Sequence, residues 1–227
     1  MGIFAFLRIA FRTKRMLDQS KKQAKALGEL PLPEFIPKWL EQMSSATDNT
    51  YPILRPPALA SEIADAEQRL GMPLPDELKE FYTLCDGIDW SSASYREDFV
   101  RISELKPSCQ HKPPLRMQLR KEWETWGRDD GLPEGLQVFS GNLLKLMADA
   151  HEFVLPFTDV DEMLALETPA SGSGILIVTR PHRLLPRGTI LEVENLSATL
   201  HDTIRSWLAE SASTIAMSNT FLETARR

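Results

Sequence analysis

The sequence predicts an α+β domain, a mostly antiparallel sheet flanked by helices, preceded by an additional N-terminal helical extension. Three observations carry that expectation. Two short amphipathic patterns lie side by side within residues 61–87, brief β-branched runs and hairpin-type turns follow them, and a basic amphipathic segment opens the chain. With 227 residues and 42% hydrophobic content there is enough apolar material for a core. Pattern and composition divide the chain into a basic helix (1–28), a proline-rich helical connector (29–57), the α+β domain (58–210) and a C-terminal helix or tail (211–227).

Residues 1–28 carry Arg8, Arg12, Lys14, Arg15, Lys21, Lys22 and Lys25 against one acid, Asp18. On a helical wheel Phe6, Ile9, Ala10, Met16, Leu17 and Leu27 gather on one side, and Ile3, Phe4, Leu7 and Phe11 make the first turns apolar nearly all round. The segment fits two readings: peripheral contact with an anionic membrane surface, or a helix docked on the domain or on a partner chain. A secretory signal is not expected, because Arg8 and Arg12 interrupt the apolar run and no small-residue cleavage site follows. Met1-Gly2 begins a myristoylation-like sequence, but Phe6 stands where Ser or Thr is needed. Downstream, Pro31, Pro33 and Pro37 precede a short helical pattern of Trp39, Leu40 and Met43. The cluster Pro52, Pro56 and Pro57 then favours extended chain and marks the boundary of the domain.

The next stretch is the best determined. Ser61 suits an N-cap. Ile63, Ala66 and Leu70 recur on one helical face, and Glu62, Asp65 and Glu67 lie near the positive end of the helix dipole. Gly71 suits the left-handed position that ends a helix. Pro75 is expected to open the second helix at N1 with Asp76 and Glu77 in its first turn. Leu78, Phe81, Tyr82 and Cys85 make its apolar stripe, and Asp86-Gly87 closes it as a turn.

These residues resemble the signature of the SUKH superfamily, which includes yeast Smi/Knr-type cell-wall regulators and bacterial relatives. The resemblance rests on Glu67, Leu70, Gly71, Leu74, Pro75, Asp76, Phe81, Asp86 and Gly87. A second stretch, Leu196 to Glu210, resembles the closing helix of that domain. Ile88-Asp89-Trp90 departs from the family's glycine-rich step after the turn. The resemblance implies a SUKH-like α+β fold in which Gly71, Pro75 and Gly87 set backbone geometry while Leu70, Leu74 and Phe81 fill the core.

Between the two stretches, Phe99–Leu105 alternates like a strand and Leu115–Trp126 suits a charged helix. Leu136–Phe139 and Glu152–Phe157 are expected strands, the latter ended by Pro156. Ile175–Thr179 reads as a buried strand, paired with Thr189–Val193 across the Pro186-Arg187-Gly188 turn. Ser211–Arg227 is a terminal helix or a partly ordered tail.

The formal charge of −6 is unevenly distributed. Residues 1–57 carry nine basic and five acidic groups (9 − 5 = +4), and residues 58–227 carry seventeen and twenty-seven (17 − 27 = −10). An acidic body disfavours direct nucleic-acid binding and favours a basic protein partner. Two cysteines, Cys85 and Cys109, provide no disulfide framework and fit a reducing, cytoplasmic setting. No apolar run reaches transmembrane length.

No catalytic, cofactor or metal constellation is expected. Cys109 and His111 are neighbours in sequence only. His151, His182 and His201 lack ligand spacing, and Asp159, Asp161 and Glu162 lack a calcium-loop pattern. Gly172 and Gly174 precede a strand rather than joining a strand to a helix, which is the wrong context for phosphate. Arg180, His182, Arg183 and Arg187 form a basic turn. The partner-binding candidates are Asp86, Asp89, Trp90, Glu97 and Asp98, with Tyr95 beside them. The rings of Trp90 and Tyr95 fit either an interface anchor or a core plug. Resemblance to SUKH proteins implies, in bacteria, immunity proteins that bind and neutralise cognate toxins, many of them basic. In eukaryotes it implies adaptor or regulatory proteins, for which the basic N-terminal helix supplies a membrane contact.

Overall fold

The computed structural model describes residues 3–46, 52–90, 98–139, 152–169, 172–182 and 185–226. The chain forms two units, Met1–Pro52 with Arg205–Arg227, and Ile53–Ile204.

The helical unit begins with α1 (Ile3–Gly28) and α2 (Leu32–Ala46). The connector is therefore more helical than expected, because α2 starts ahead of Pro33 and contains Pro37. Pro33 sits in the first turn, where a missing N–H removes no intrahelical bond, so only Pro37 takes one away. Burial of Leu32, Phe35, Ile36, Trp39 and Met43 gives α2 one continuous apolar stripe.

The second unit opens with a two-stranded ribbon. β1 (Ile53–Leu54) pairs antiparallel with β2 (Ile88–Asp89), and the amphipathic pair α3 (Ala60–Leu70) and α4 (Asp76–Leu84) lies between them in sequence. A larger sheet follows. Its strands are β3 (Lys106–Pro107), β4 (Leu136–Phe139), β5 (Glu152–Leu155), β6 (Leu164–Ala165), β7 (Gly174–Ile177), β8 (Ile190–Glu194) and β9 (Ser197–His201), in the order β3-β6-β7-β8-β9-β4-β5. Only β4 and β9 run parallel; every other neighbouring pair is antiparallel. The fold class is thus α+β with a mostly antiparallel sheet. One face of that sheet buries Leu136, Val138, Leu176, Leu191 and Leu200 together with Leu115 and Leu119 of α5 (Leu115–Glu122). The charged helix expected to reach Trp126 instead gives way to a π-helical turn over Trp123–Gly127.

Two expected elements are corrected. Phe99–Leu105 is not a strand: Phe99 makes isolated bridges to Ile88 and Glu167, and residues 102–104 turn. The polar groups of this segment are met by side chains rather than by a ladder. The Asp86 carboxylate accepts the Ile102 N–H (2.7 Å), and the Arg69 guanidinium donates to the carbonyls of Ile102 (3.0 Å) and Leu105 (2.7 Å). Leu196–Glu210 is not one helix either. Asn195 and Leu196 both take positive φ (47° and 65°), the primed turn that suits a two-residue hairpin. β9 therefore folds back on β8, pairing Glu194 with Ser197 and Ile190 with His201. The helix starts only at Ile204, and α6 (Ile204–Arg226) then runs without interruption.

Within the helical unit α6 packs on the first two helices. Trp39 Nε1 donates to the Leu208 carbonyl (3.0 Å), and the buried hydroxyls of Ser20 and Ser213 hydrogen-bond to each other. Gly28 allows close approach, since a Cβ there would lie 3.3 Å from Ser206 Cα. The buried side of α1 in this stretch is Ser20, Ala24 and Leu27, while Leu17 is exposed. Among the described residues no helix is long and apolar enough to cross a membrane.

Candidate functional site

The helical pair shows what each residue of the signature does. Leu59, not Ser61, is the N-cap of α3, and the Glu62 carboxylate accepts its amide N–H (2.7 Å). Gly71 takes φ +65° at C′, and the bonds Gly71 N–H to Gln68 O and Met72 N–H to Glu67 O complete a Schellman ending. The Glu67 carboxylate then accepts the Leu74 N–H (2.7 Å) and pairs with Lys79 (2.9 Å), tying the inter-helix loop to α4. The Lys79 hydrogen bond, then the Leu74 amide, hold its pKa below the usual value. Pro75 precedes α4 as its N-cap, one position earlier than expected, and its carbonyl takes the first intrahelical bond, from Lys79 N–H. Glu77 Oε2 accepts the N–H of Ile204, one of the otherwise unpaired donors at the start of α6. Leu74 and Phe81 are fully buried, and Leu70 is half-buried.

Gly87 is held by space as well as by conformation. Its φ is +88°, and a Cβ would lie 2.4 Å from the Phe99 carbonyl oxygen and 2.8 Å from that of Val100. Arg55 closes the same turn, donating to Phe99 O (2.8 Å) and pairing with Asp98 (2.9 Å). Asp98 also accepts the Trp90 amide (2.8 Å) through its other oxygen. Of the partner-binding candidates, Asp86 and Asp98 are therefore built into the turn, Trp90 is 2% exposed and belongs to the core, and Asp89 lies in β2. Glu97 and Tyr95 lie outside the described residues. Cys85 is buried, which pushes its thiol up to about 12 and leaves it a packing residue.

The surface of the helical pair is acidic for a structural reason. Arg69 is spent on the 102–105 turn and Lys79 on Glu67, whereas Asp65, Asp76 and Glu80 are exposed and have no cation partner among the described residues. Two further groups singled out in the sequence meet each other. Asp159 contacts His182 (3.0 Å) and Glu162 faces Arg180 (3.6 Å), while Asp161 takes Arg116 (2.6 Å). Arg187 donates to the Thr179 and Pro73 carbonyls. Two of the three acids thus meet two members of the basic turn, and Arg183 lies outside the described residues. His201 is buried against Glu192 (3.2 Å), Cys109 is exposed, and no group able to hold a metal occurs among the described residues.

A concave polar cleft of about 850 Å³ lies beside this turn, with Arg55, Arg101, Lys106 and His111 among its lining residues. His111 is 6% exposed and its Nε2 has no hydrogen-bond partner. Burial first, and the nearby Lys106 ammonium second, lower its pKa to about 4, so the imidazole is neutral at physiological pH. Sequence reasoning missed Arg55, Arg69, Arg101 and Lys106. No local spacing signals them, because Arg55 and Arg69 find their partners more than thirty residues away.

The model of the SMI1 / KNR4 family (SUKH-1) matches residues 57–158. That stretch takes in the helical pair, the Gly87 turn and the cleft lining from Asp98 to His111. No curated protein matches the chain.

Proposed function

Since the chain carries a domain of the SMI1 / KNR4 family (SUKH-1), we propose that it is a non-enzymatic immunity protein that binds and occludes a cognate, basic toxin in the cytoplasm. The observation that carries this reading is the uncompensated acidic surface of α3 and α4, where Asp65, Asp76 and Glu80 are exposed while both neighbouring cations are consumed internally. Such a surface speeds encounter with a basic protein and rejects acidic competitors. The test is co-expression with the toxin encoded beside it, followed by isolation of a one-to-one complex. Replacing the three acids together by Asn, Asn and Gln is expected to slow association at least tenfold at low salt. Persistent toxicity with no recoverable complex refutes the proposal.

A second reading has its own support. Lys14, Arg15, Lys21, Lys22 and Lys25 are all exposed along α1, and basic side chains near an anionic leaflet each contribute about 1 kcal/mol. On this reading the protein is a SUKH-type adaptor held peripherally at the inner face of a membrane. Co-sedimentation of the full chain with vesicles containing phosphatidylserine, but not with phosphatidylcholine vesicles, is the expected result. Equal recovery in both supernatants removes it.

A further inference from the structure

The cleft beside the Gly87 turn has a charge character opposite to that of the domain around it. Its lining holds three cations, Arg55, Arg101 and Lys106, against two carboxylates, Asp98 and Glu104 (3 − 2 = +1). The carboxylates are already engaged. Asp98 uses one oxygen on the Trp90 amide and the other on Arg55, and Glu104 Oε2 accepts the Arg101 backbone N–H (3.2 Å). Arg55 is likewise committed, to Asp98 and to the Phe99 carbonyl. Among the described residues, the groups of the lining left without a side-chain hydrogen bond or ion pair are the Arg101 guanidinium, the Lys106 ammonium, the hydroxyls of Ser103 and Thr168, and the His111 imidazole.

His111 is the informative member. A buried ring nitrogen without a partner is costly, and native structures keep few such groups without a use for them. Neither ring nitrogen of His111 has a hydrogen bond among the described residues, and the residue lines the cleft. A neutral imidazole carries one N–H, which is a hydrogen-bond donor. Together with a guanidinium and an ammonium, it makes a donor set that complements an oxyanion. The surplus of one positive charge matches a single carboxylate better than a doubly charged phosphate monoester. At about 850 Å³ the cleft also holds more than the carboxylate itself.

We propose that this cleft is a binding site for a carboxylate-bearing polar ligand, with the carboxylate held by Arg101 and Lys106 and hydrogen-bonded by His111. The site is separate from the acidic face of α3 and α4 and does not depend on the toxin-binding reading. The carboxylate has two sources, a small free acid or an acidic side chain of a polypeptide, and the same recognition serves both.

The test is NMR titration of the full-length protein, following the His111 ring resonances. The probes are N-acetylglutamate, a blocked Gly-Glu-Gly peptide, its Gly-Gln-Gly counterpart and inorganic phosphate. Saturable movement of His111 with either glutamate probe, and none with the glutamine peptide, is the expected result. Preference for the free acid identifies a small-molecule ligand, and preference for the peptide identifies a polypeptide; both uphold the site. Arg101→Gln and Lys106→Gln are each expected to weaken binding at least tenfold without moving the urea midpoint, because neither side chain supports the fold. The proposal is overturned if no carboxylate probe moves His111 at millimolar concentration. It is equally overturned if phosphate binds more tightly than both glutamate probes, or if a variant combining Arg101→Gln with Lys106→Gln binds as well as the native protein.

Discussion

The helical pair and the cleft use the same charges in opposite ways. On α3 and α4 the cations are structural: Arg69 holds the 102–105 turn, Lys79 holds Glu67, and the acids Asp65, Asp76 and Glu80 are left to solvent. In the cleft the carboxylates are structural, since Asp98 and Glu104 serve backbone amides, and Arg101 and Lys106 are left over. Net charge therefore says little about what any one surface offers. Which member of each ion pair the backbone consumes decides the sign that a partner meets.

The sharpest way to break this comparison is at the turn joining the two regions. Gly87→Ala must place a Cβ 2.4 Å from one carbonyl oxygen and 2.8 Å from another, at φ +88°. Its expected cost is at least about 3 kcal/mol, read as a large fall in the urea midpoint. Gly71 has a similar φ of +65° but open space around its Cβ position. Gly71→Ala should cost only about 1–2 kcal/mol, the strain of a left-handed non-glycine residue. Equal costs at the two glycines would mean that the turn relaxes freely.

The contrast between these glycines also shows how far the sequence could be read. Periodicity and punctuation located α3, α4, β4, β5 and the β7–β8 hairpin, because those signals are local: apolar spacing, a glycine stop, a proline start, a tight turn. The stretch 99–105 alternates like a strand, yet it turns, because Asp86 and Arg69 satisfy its backbone from outside the segment. The stretch 196–210 carries helix-compatible residues, yet its first third joins β8, because sheet pairing outweighs local propensity. The candidate site suffered the same limit. Asp86, Asp98 and Trp90 were visible as residue types, but only the fold reveals that the first two bind backbone amides and the third is core. The cleft was invisible, since its lining runs from Arg55 to Thr168.

A second test separates consumed from uncommitted arginines. Arg69→Met leaves the carbonyls of Ile102 and Leu105 without their charged donor, at an expected cost of about 2 kcal/mol in urea unfolding. Arg101→Met should change stability by no more than about 0.5 kcal/mol. If the two variants unfold alike, the division between structural and available cations fails.

Titration separates two further groups. His111 has a folded pKa of about 4, below its ordinary value near 6.5, so the unfolded chain binds more protons between those limits. Stability from this group is complete above about pH 6.5 and falls with acidification until about pH 4. The expected loss is at most on the order of 3 kcal/mol, the free-energy equivalent of the lowered pKa. His111→Gln should flatten this limb of the pH–stability curve while preserving a hydrogen-bonding group. An unchanged slope would show that the imidazole is not held neutral.

Glu67 offers the smallest effect and a separate pH window. Its folded pKa is lowered by Lys79 and the Leu74 amide, so its contribution is present above the ordinary carboxylate pKa and lost as pH falls through the folded value. The pair is partly exposed, with 26% of the Glu67 side chain and 35% of the Lys79 side chain accessible, so solvent screens most of the attraction. Glu67→Gln keeps an acceptor for the Leu74 N–H and removes only the charge. It should cost about 0.5–1 kcal/mol near neutral pH, and the difference should vanish in acid below the range where His111 acts. A cost that persists unchanged at the acid end would assign Glu67 to packing rather than to charge.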